Sequence, residues 1–509
     1  MPTKLEGPLD HGALEDVKLN TPSWRPIRAT RWSIDVVRPE FLSLRPGSPK
    51  KLLRRTAWLD GLRGFAAFIV FLHHNQLWSH DIHGNSVFEN SFGYNKRHYF
   101  AALPFIRHFF SGGHFAVAIF FVISGYVLSV KSLGAIQKSQ HMVSADAVGS
   151  ALFRRWLRLY LPVIGFTLSW MIIRHWTNVW VDFGERKKTW GEEFKTWYYT
   201  FKNYSFVFLT GDNVEFTSKY NGHLWSIPIG LSHKTPETTI ELTQCVEFKG
   251  SVIVYTAISA FSRCTRNARL WCEFALCIYF LYVVDGWYGA LFMGGMLLSD
   301  LDLLALDDEE PRFLAKLGEF KEFIFFHLFL IGMYLGGVPS CESLDGNENL
   351  LASSPGWKWL FKLKPQAAWD TKWFYLTWAA ILTVASIPRL PWLKRFFETR
   401  FCQYLGRVSF ALYLVHGIVI YTLSDRLYAA VGFKKNGHKN IPQWVDIFPL
   451  AMNGPMGFEL AFWAVQVINI PVTFYVAEVV TKLIDEPSVK FSNWLYKKTL
   501  APQPQSPKR

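Results

Sequence analysis

Cysteine is scarce in this chain and follows no pattern. Its six residues, Cys245, Cys264, Cys272, Cys277, Cys341 and Cys402, show neither metal-ligand spacing nor a disulfide framework, so no metal site is expected. Most should pack as small hydrophobes. Acidic residues are also in deficit, 40 against 54 lysines and arginines. The resulting charge of +14 could suit a nucleic-acid binder. The bases instead form short clusters beside apolar runs, "KKLLRR", "RRWLRLY", "RCTRNAR" and "PRLPWLKRFFETR", rather than a basic face on a soluble domain, so no nucleic-acid partner is expected. Residues 1–50 lack an apolar h-region, and no cleavable signal peptide is expected there.

Apolar and aromatic residues are abundant. Half of the chain is hydrophobic, and apolar runs recur along most of its length, separated by charged or Pro/Gly-containing stretches. This is the pattern of an all-α, polytopic transmembrane helical bundle in contact with the lipid bilayer. The runs fall near 57–78, 114–130, 156–174, 246–262, 270–285, 286–299, 322–338, 372–387, 402–424 and 458–481. About ten spans put both termini on one side. Every second connection is basic: Lys50 to Arg55, Lys131 to Arg158, Arg263 to Arg269, Arg389 to Arg400, and Lys497 to Arg509. The positive-inside rule makes those connections, and hence both termini, cytosolic. A single sequon at Asn203 falls in a connection that this reading places on the other side.

The first run, "FAAFIVFLHHNQLW", carries two histidines where a membrane helix should be apolar. Ionisable groups inside a membrane are costly and mark functional sites. Eleven residues of helix turn through three revolutions plus about 20°, so Arg63 and His74 share one face, about 16 Å apart along the axis. His73 points about 100° away. The alternative is that Arg63 snorkels to headgroups and His74 marks the interface. By the same geometry, Arg407 and His416 are turned 180° from one another and need not share a site.

Six further stretches follow "WLDGLRGFAAFIVFLHH" in order: "FFVISGYVLS", "RRWLRLYLP", "HLWSIP", "VEFKGS", "LGRVSFALYLVHG" and a closing "DEP". Together they resemble the membrane-bound acyltransferase family 3, in a form typical of fungi, from about Trp58 to Glu486. The resemblance implies transfer of an acyl group, often acetyl, from cytosolic acyl-CoA to a hydroxyl of a carbohydrate, lipid or small metabolite. Acyl-CoA is then a donor substrate, and no bound cofactor is expected. The family's essential arginine and histidine match Arg63 and His74. Its other motif residues match Ser124 and Gly125, Arg154, Arg155 and Arg158, and Trp225 and Glu247.

Imidazole suits the task of a base for a hydroxyl attacking a thioester. Arg63 and the Arg154–Arg158 group could pair with CoA phosphates, or the latter could be membrane anchors alone. Gly125 is expected to allow close helix approach. Ser124 would bind substrate or satisfy its own helix. Glu247 could orient His74 or bind an acceptor hydroxyl, and His416 is a supporting candidate for the substrate site. A competing reading is a transporter using Arg63, His74 and Glu247 as a proton or substrate relay, but the chain shows no paired inverted halves.

These readings divide the chain into a tail (1–56), an acyltransferase membrane domain (57–487) and a second tail (488–509), both tails cytosolic. One stretch departs from the family pattern. Residues 229–245, "IGLSHKTPETTIELTQC", separate Trp225 from Glu247, which are close neighbours in the family. The insert reads as a retained intron or misplaced splice boundary, or else as a lumenal loop insertion.

Overall fold

The computed structural model describes residues 53–80, 103–181, 186–205, 246–307, 309, 311–340, 344–368, 370–452 and 460–500. Trp225 and the 229–245 stretch lie outside these residues, as do most of the two tails. Every regular element among the described residues is helical. The bundle is built from α1 (Ala57–His80), α2 (Gly113–Gln137), α3 (His141–Thr177), α4 (Trp190–Ser205), α5 (Val246–Phe261), α6 (Arg266–Tyr282) and α7 (Trp287–Leu306). It continues with α8 (Lys321–Gly336), α9 (Thr371–Ser386), α10 (Pro391–Phe397), α11 (Arg400–Val431) and α12 (Leu460–Thr499).

Each of the ten apolar runs falls largely on one of these helices, but length and apolarity divide them. Five helices, α2, α3, α7, α11 and α12, are long and apolar enough to cross a membrane. The α9 segment with α10 would make a sixth if its 99° bend lies within one span. Helix α1 is not among them, because its last two turns carry His73, His74, Asn75, Gln76, Ser79 and His80. Helices α5, α6 and α8 have 16, 17 and 16 residues, short of the roughly 20 that a perpendicular span needs.

Glycines set the closest helix contacts. A Cβ on Gly64 of α1 would lie 2.1 Å from the backbone nitrogen of Gly406 on α11, and one on Gly406 would lie 2.5 Å from the Asp60 carbonyl. A Cβ on Gly61 would run into the Phe397 carbonyl at 1.8 Å. The "DGLRG" stretch therefore lets the backbones of α1 and α11 touch, the small-residue mode of membrane helix packing. Gly125 does the same between α2 and α7, where a Cβ would stand 2.0 Å from the Phe292 carbonyl.

Buried ion pairs hold other helices. Arg269 of α6 grips Asp300 of α7 at 2.7 and 3.0 Å, and Gln137 of α2 donates to the same carboxylate at 2.6 Å. Arg389 meets Asp302 at 2.7 Å, and Tyr126 donates to Asp302 at 3.0 Å. These two arginines, read from sequence as part of the basic flanks, are also partners of acids within the bundle.

Helices α11 and α12 each contain a π turn, Ile420–Ser424 and Thr481–Asp485. Such one-residue bulges cluster at functional sites. The first starts one turn beyond His416, and the second ends on Asp485.

Candidate active site

Helix α1 carries the site along one face, and α11 runs parallel to it as the opposite wall. Near one end, Arg63 donates from Nε to Ser409 Oγ at 3.0 Å and from Nη2 to the Gly406 carbonyl at 2.7 Å. Its Nη2 also lies 3.5 Å from Asp60 Oδ1. Eleven residues further along α1, His74 Nδ1 lies 2.7 Å from His416 Nε2, with both rings buried and nearly parallel (7°, centroids 4.9 Å apart). Ser409 and His416 are seven residues apart, two helical turns, and so share a face just as Arg63 and His74 do. The glycine contact at Gly64–Gly406 brings the two faces together.

The dyad has a defined polarity. His416 Nδ1 donates to the Leu412 carbonyl at 3.1 Å, because a carbonyl can only accept. With both rings neutral, His416 Nε2 is then the acceptor, and the shared proton belongs to His74 Nδ1. The lone pair of His74 is thereby assigned to Nε2.

His73 takes a different side. Its ring packs 5.7 Å from His114 of α2 and against Gly113, where a Cβ would meet His73 Cδ2 at 2.4 Å. One residue past His74, Asn75 enters a buried network. Its Oδ1 accepts from Tyr428 at 3.0 Å and from Asn469 at 2.6 Å, and Gln466 donates to the Tyr428 hydroxyl at 2.6 Å. This network fastens α1 to α11 and α12 beside the dyad.

A second group gathers at the Arg63 end. Arg155 of α3 is paired with Glu247 of α5 and donates to Ser251 Oγ at 2.8 Å, while Ser124 of α2 donates to the same Glu247 oxygen at 2.9 Å. Glu247 is thus bound to Arg155 and Ser124, and the ring that meets His74 Nδ1 is that of His416. Arg154 donates to Asn493 of α12 at 2.9 Å. Asp485 acts electrostatically on both Arg158 and Arg63, linking the α3 arginines to α1. Glu486 takes Arg407 at 3.0 Å, so Arg407 and His416 do serve different partners.

Sequence reasoning missed Ser409, Ser251, Asn75 and the pairing role of the "DEP" carboxylates. A serine or asparagine in a helix has no periodic signal that singles it out. Asp485 could have been suspected as an acid next to an apolar run.

Comparison with known proteins places the chain as a whole among fungal acyltransferases. The O-acetyltransferase PaAT-1 of Phomopsis amygdali is 28% identical over 501 residues, covering 93% of this chain and 90% of its own length. The acyltransferase clz18 of Cochliobolus lunatus is 22% identical, covering 84% of this chain and 95% of its own. The acyltransferase R4 of a Phoma species is 23% identical over 64% of this chain and 72% of its own length. No solved structure matches. The family described as "Acyltransferase domain" (acyltransferase 3) matches residues 56–477, from just before α1 into the first half of α12. That span includes Arg63, the α3 arginines, Glu247 and both histidines of the dyad, and the chain belongs to this acyltransferase family.

Proposed function

We propose that this acyltransferase is a multi-pass membrane enzyme that moves an acyl group, acetyl in the first instance, from acyl-CoA to a hydroxyl of a carbohydrate, lipid or small metabolite. The observation that carries the reading is the His74–His416 dyad, joined along α1 to an arginine-lined end. PaAT-1 is an O-acetyltransferase, which supports acetyl as the group and oxygen as the acceptor atom.

The two ends suit the two halves of such a reaction. Acyl-CoA carries several phosphates, and Arg63, Arg154, Arg155 and Arg158 supply guanidinium groups that match them in charge and planar geometry. The α1 rise between Arg63 and His74, about 16 Å, suits an extended pantetheine arm reaching from the arginines to the dyad. In this reading the arginine end faces the cytosol, where acyl-CoA is made, and both termini lie there. Trp225 would belong to the substrate site.

At the dyad, His74 Nε2 accepts the proton of the acceptor hydroxyl as its oxygen forms a bond to the thioester carbonyl. The C–S bond then breaks, and the proton passes from His74 to the departing CoA thiolate. His416 holds His74 in the tautomer that leaves Nε2 basic, the same logic by which a third group orients the histidine of a catalytic triad. Positioned base catalysis contributes about 10²–10⁴-fold in rate.

Incubating purified full-length protein with labelled acetyl-CoA and a fungal metabolite extract tests the reading. CoA release with label in a hydroxyl ester is expected, and His74→Ala should abolish it while His73→Ala has a much milder effect. Equal losses at equal expression would remove His74 from the role of base.

A further inference from the structure

At the Arg63 end of the bundle, α10 is turned 99° from α9, so where α9 runs across a bilayer α10 lies along its surface. We propose that α10 and the first turn of α11 form a docking surface for an anionic phospholipid of the cytosolic leaflet, and that the docked lipid steadies the turn of α1 that carries Arg63. The proposal rests on the acyltransferase reading only in placing this end at the cytosol and in naming the activity that the lipid supports.

Helix α10 has two faces. Leu393 and Phe397 are buried against the bundle, whereas Trp392 and Phe396, four residues apart, are 52% and 41% exposed. Phe401, in the first turn of α11, is 55% exposed. Arg395 borders Trp392 on the outer face of α10, since three residues advance a helix by 300°. Arg400 opens α11, and both arginines are exposed. Apolar rings beside guanidinium groups on a surface helix make an interfacial element, with the rings at the acyl boundary and the cations at headgroup level.

The charge needed to select an anionic headgroup is present. Within "PRLPWLKRFFETR", Arg389 pairs with Asp302 at 2.7 Å and Lys394 stands 3.9 Å from Glu398. Arg395 and Arg400 form no ion pair with any described residue. Arg400 also occupies the first position of α11, the end of a helix dipole that disfavours a cation. Its guanidinium therefore does nothing for the helix that it opens, and the same charge suits a phosphate in the leaflet.

The inner face of α10 reaches α1. A Cβ on Gly61 would lie 1.8 Å from the Phe397 carbonyl, and Gln403 Nε2 donates to that carbonyl at 2.9 Å and to the Ala57 carbonyl at 2.8 Å. Phe65, two residues past Arg63, packs edge-on against Phe396 at 5.5 Å and Phe397 at 6.0 Å. Phe396 thus belongs to both faces. A headgroup held by Arg395 and Arg400 restrains α10, and through these contacts the α1 turn that presents Arg63.

The test reconstitutes the purified full-length chain in phosphatidylcholine vesicles doped with photoactivatable phosphatidylserine or photoactivatable phosphatidylcholine. Peptide mapping reads lipid cross-links within residues 390–402, and CoA release from acetyl-CoA is followed with and without phosphatidylserine. Phosphatidylserine should label the segment in preference to phosphatidylcholine. Arg395→Gln and Arg400→Gln should each lower that labelling about fivefold, the worth of one basic residue at an anionic surface. Unfolding temperature and acetyl-CoA affinity in detergent should not move. CoA release should rise with phosphatidylserine in the wild type and not in the double variant. Arg263→Gln with Lys498→Gln removes the same charge from exposed positions elsewhere and should leave the labelling intact. Equal labelling by the two lipids, labelling that survives both substitutions, or an equal loss in the control pair would overturn the docking surface. Weakened acetyl-CoA affinity without any lipid preference would make the two arginines a donor-phosphate site and overturn the lipid assignment. Loss of labelling with CoA release indifferent to phosphatidylserine would overturn the steadying of Arg63. Labelling needs no turnover, so absence of CoA release from every form would sink the acyltransferase reading while the cross-links still decide the docking.

Discussion

Replacing Gly64 with alanine tests whether backbone contact between α1 and α11 aligns both ends of the site. The new Cβ would stand 2.1 Å from Gly406 N and 2.3 Å from Leu405 C, and ordinary contact begins at 3.4 Å. The helices must separate locally by about 1.3 Å, because the opposing atoms are backbone and cannot swing aside. Separation on that scale carries the 2.7 Å bonds of Arg63 to Gly406 and of His74 to His416 beyond hydrogen-bonding range. With the Arg63–Ser409 bond, two charge-assisted bonds and one neutral bond are lost, on the order of 4 kcal/mol at the low end. A 1 Å misplacement of reacting groups costs about 10²-fold in rate. The assay is CoA release by the purified variant beside its thermal unfolding. Gly134→Ala is the control: no atom lies within 4 Å of its Cβ, and alanine in a helix is favoured by about 0.5–1 kcal/mol. Gly64→Ala transferring acetyl within about threefold of wild type at an unchanged unfolding temperature would refute the argument. So would equal damage from Gly134→Ala.

Three further substitutions probe separate contacts. His416→Ala should lower kcat about 10²–10³-fold with little change in KM for acyl-CoA, and His416→Gln, whose carbonyl can accept the His74 proton, should recover part of it; a change in KM alone would make His416 a wall of the pocket. Arg63→Lys keeps charge but loses the planar fork that spans Ser409 and Gly406, so KM for acyl-CoA should rise more than that for the acceptor, and an unchanged donor KM would remove Arg63 from donor binding. Glu247→Gln leaves the Arg155 guanidinium without its buried counter-charge, and unfolding should become easier by roughly 3–5 kcal/mol; an unmoved unfolding temperature would show that the pair holds nothing together.

Several features were legible in the sequence because they depend only on local geometry. Apolar runs bounded by charge mark helices wherever backbone polar groups must be satisfied within the segment, and all ten runs lie largely on helices. The 100° step per residue placed Arg63 with His74 and turned His73 away, and the structure sends Arg63 and His74 to α11 and His73 to α2. The same step set Arg407 apart from His416, which take Glu486 and His74 as partners. Apolarity alone did not separate the five helices able to span a membrane from shorter neighbours, since run length blurs where helix ends are polar.

Partners across the chain were not legible. The helical period shows which way a side chain points, but not which helix it meets. The pairing of His74 with His416 spans 342 positions, and it follows from glycines that admit α11 against α1. Glu247 sits at the start of its helix whatever its role; only packing of α2, α3 and α5 delivers it to Ser124 and Arg155 instead of His74. Periodicity along one helix is a property of the backbone and can be read from residues in order. Contact between helices depends on which surfaces approach closely enough, and that was decided by the tertiary fold.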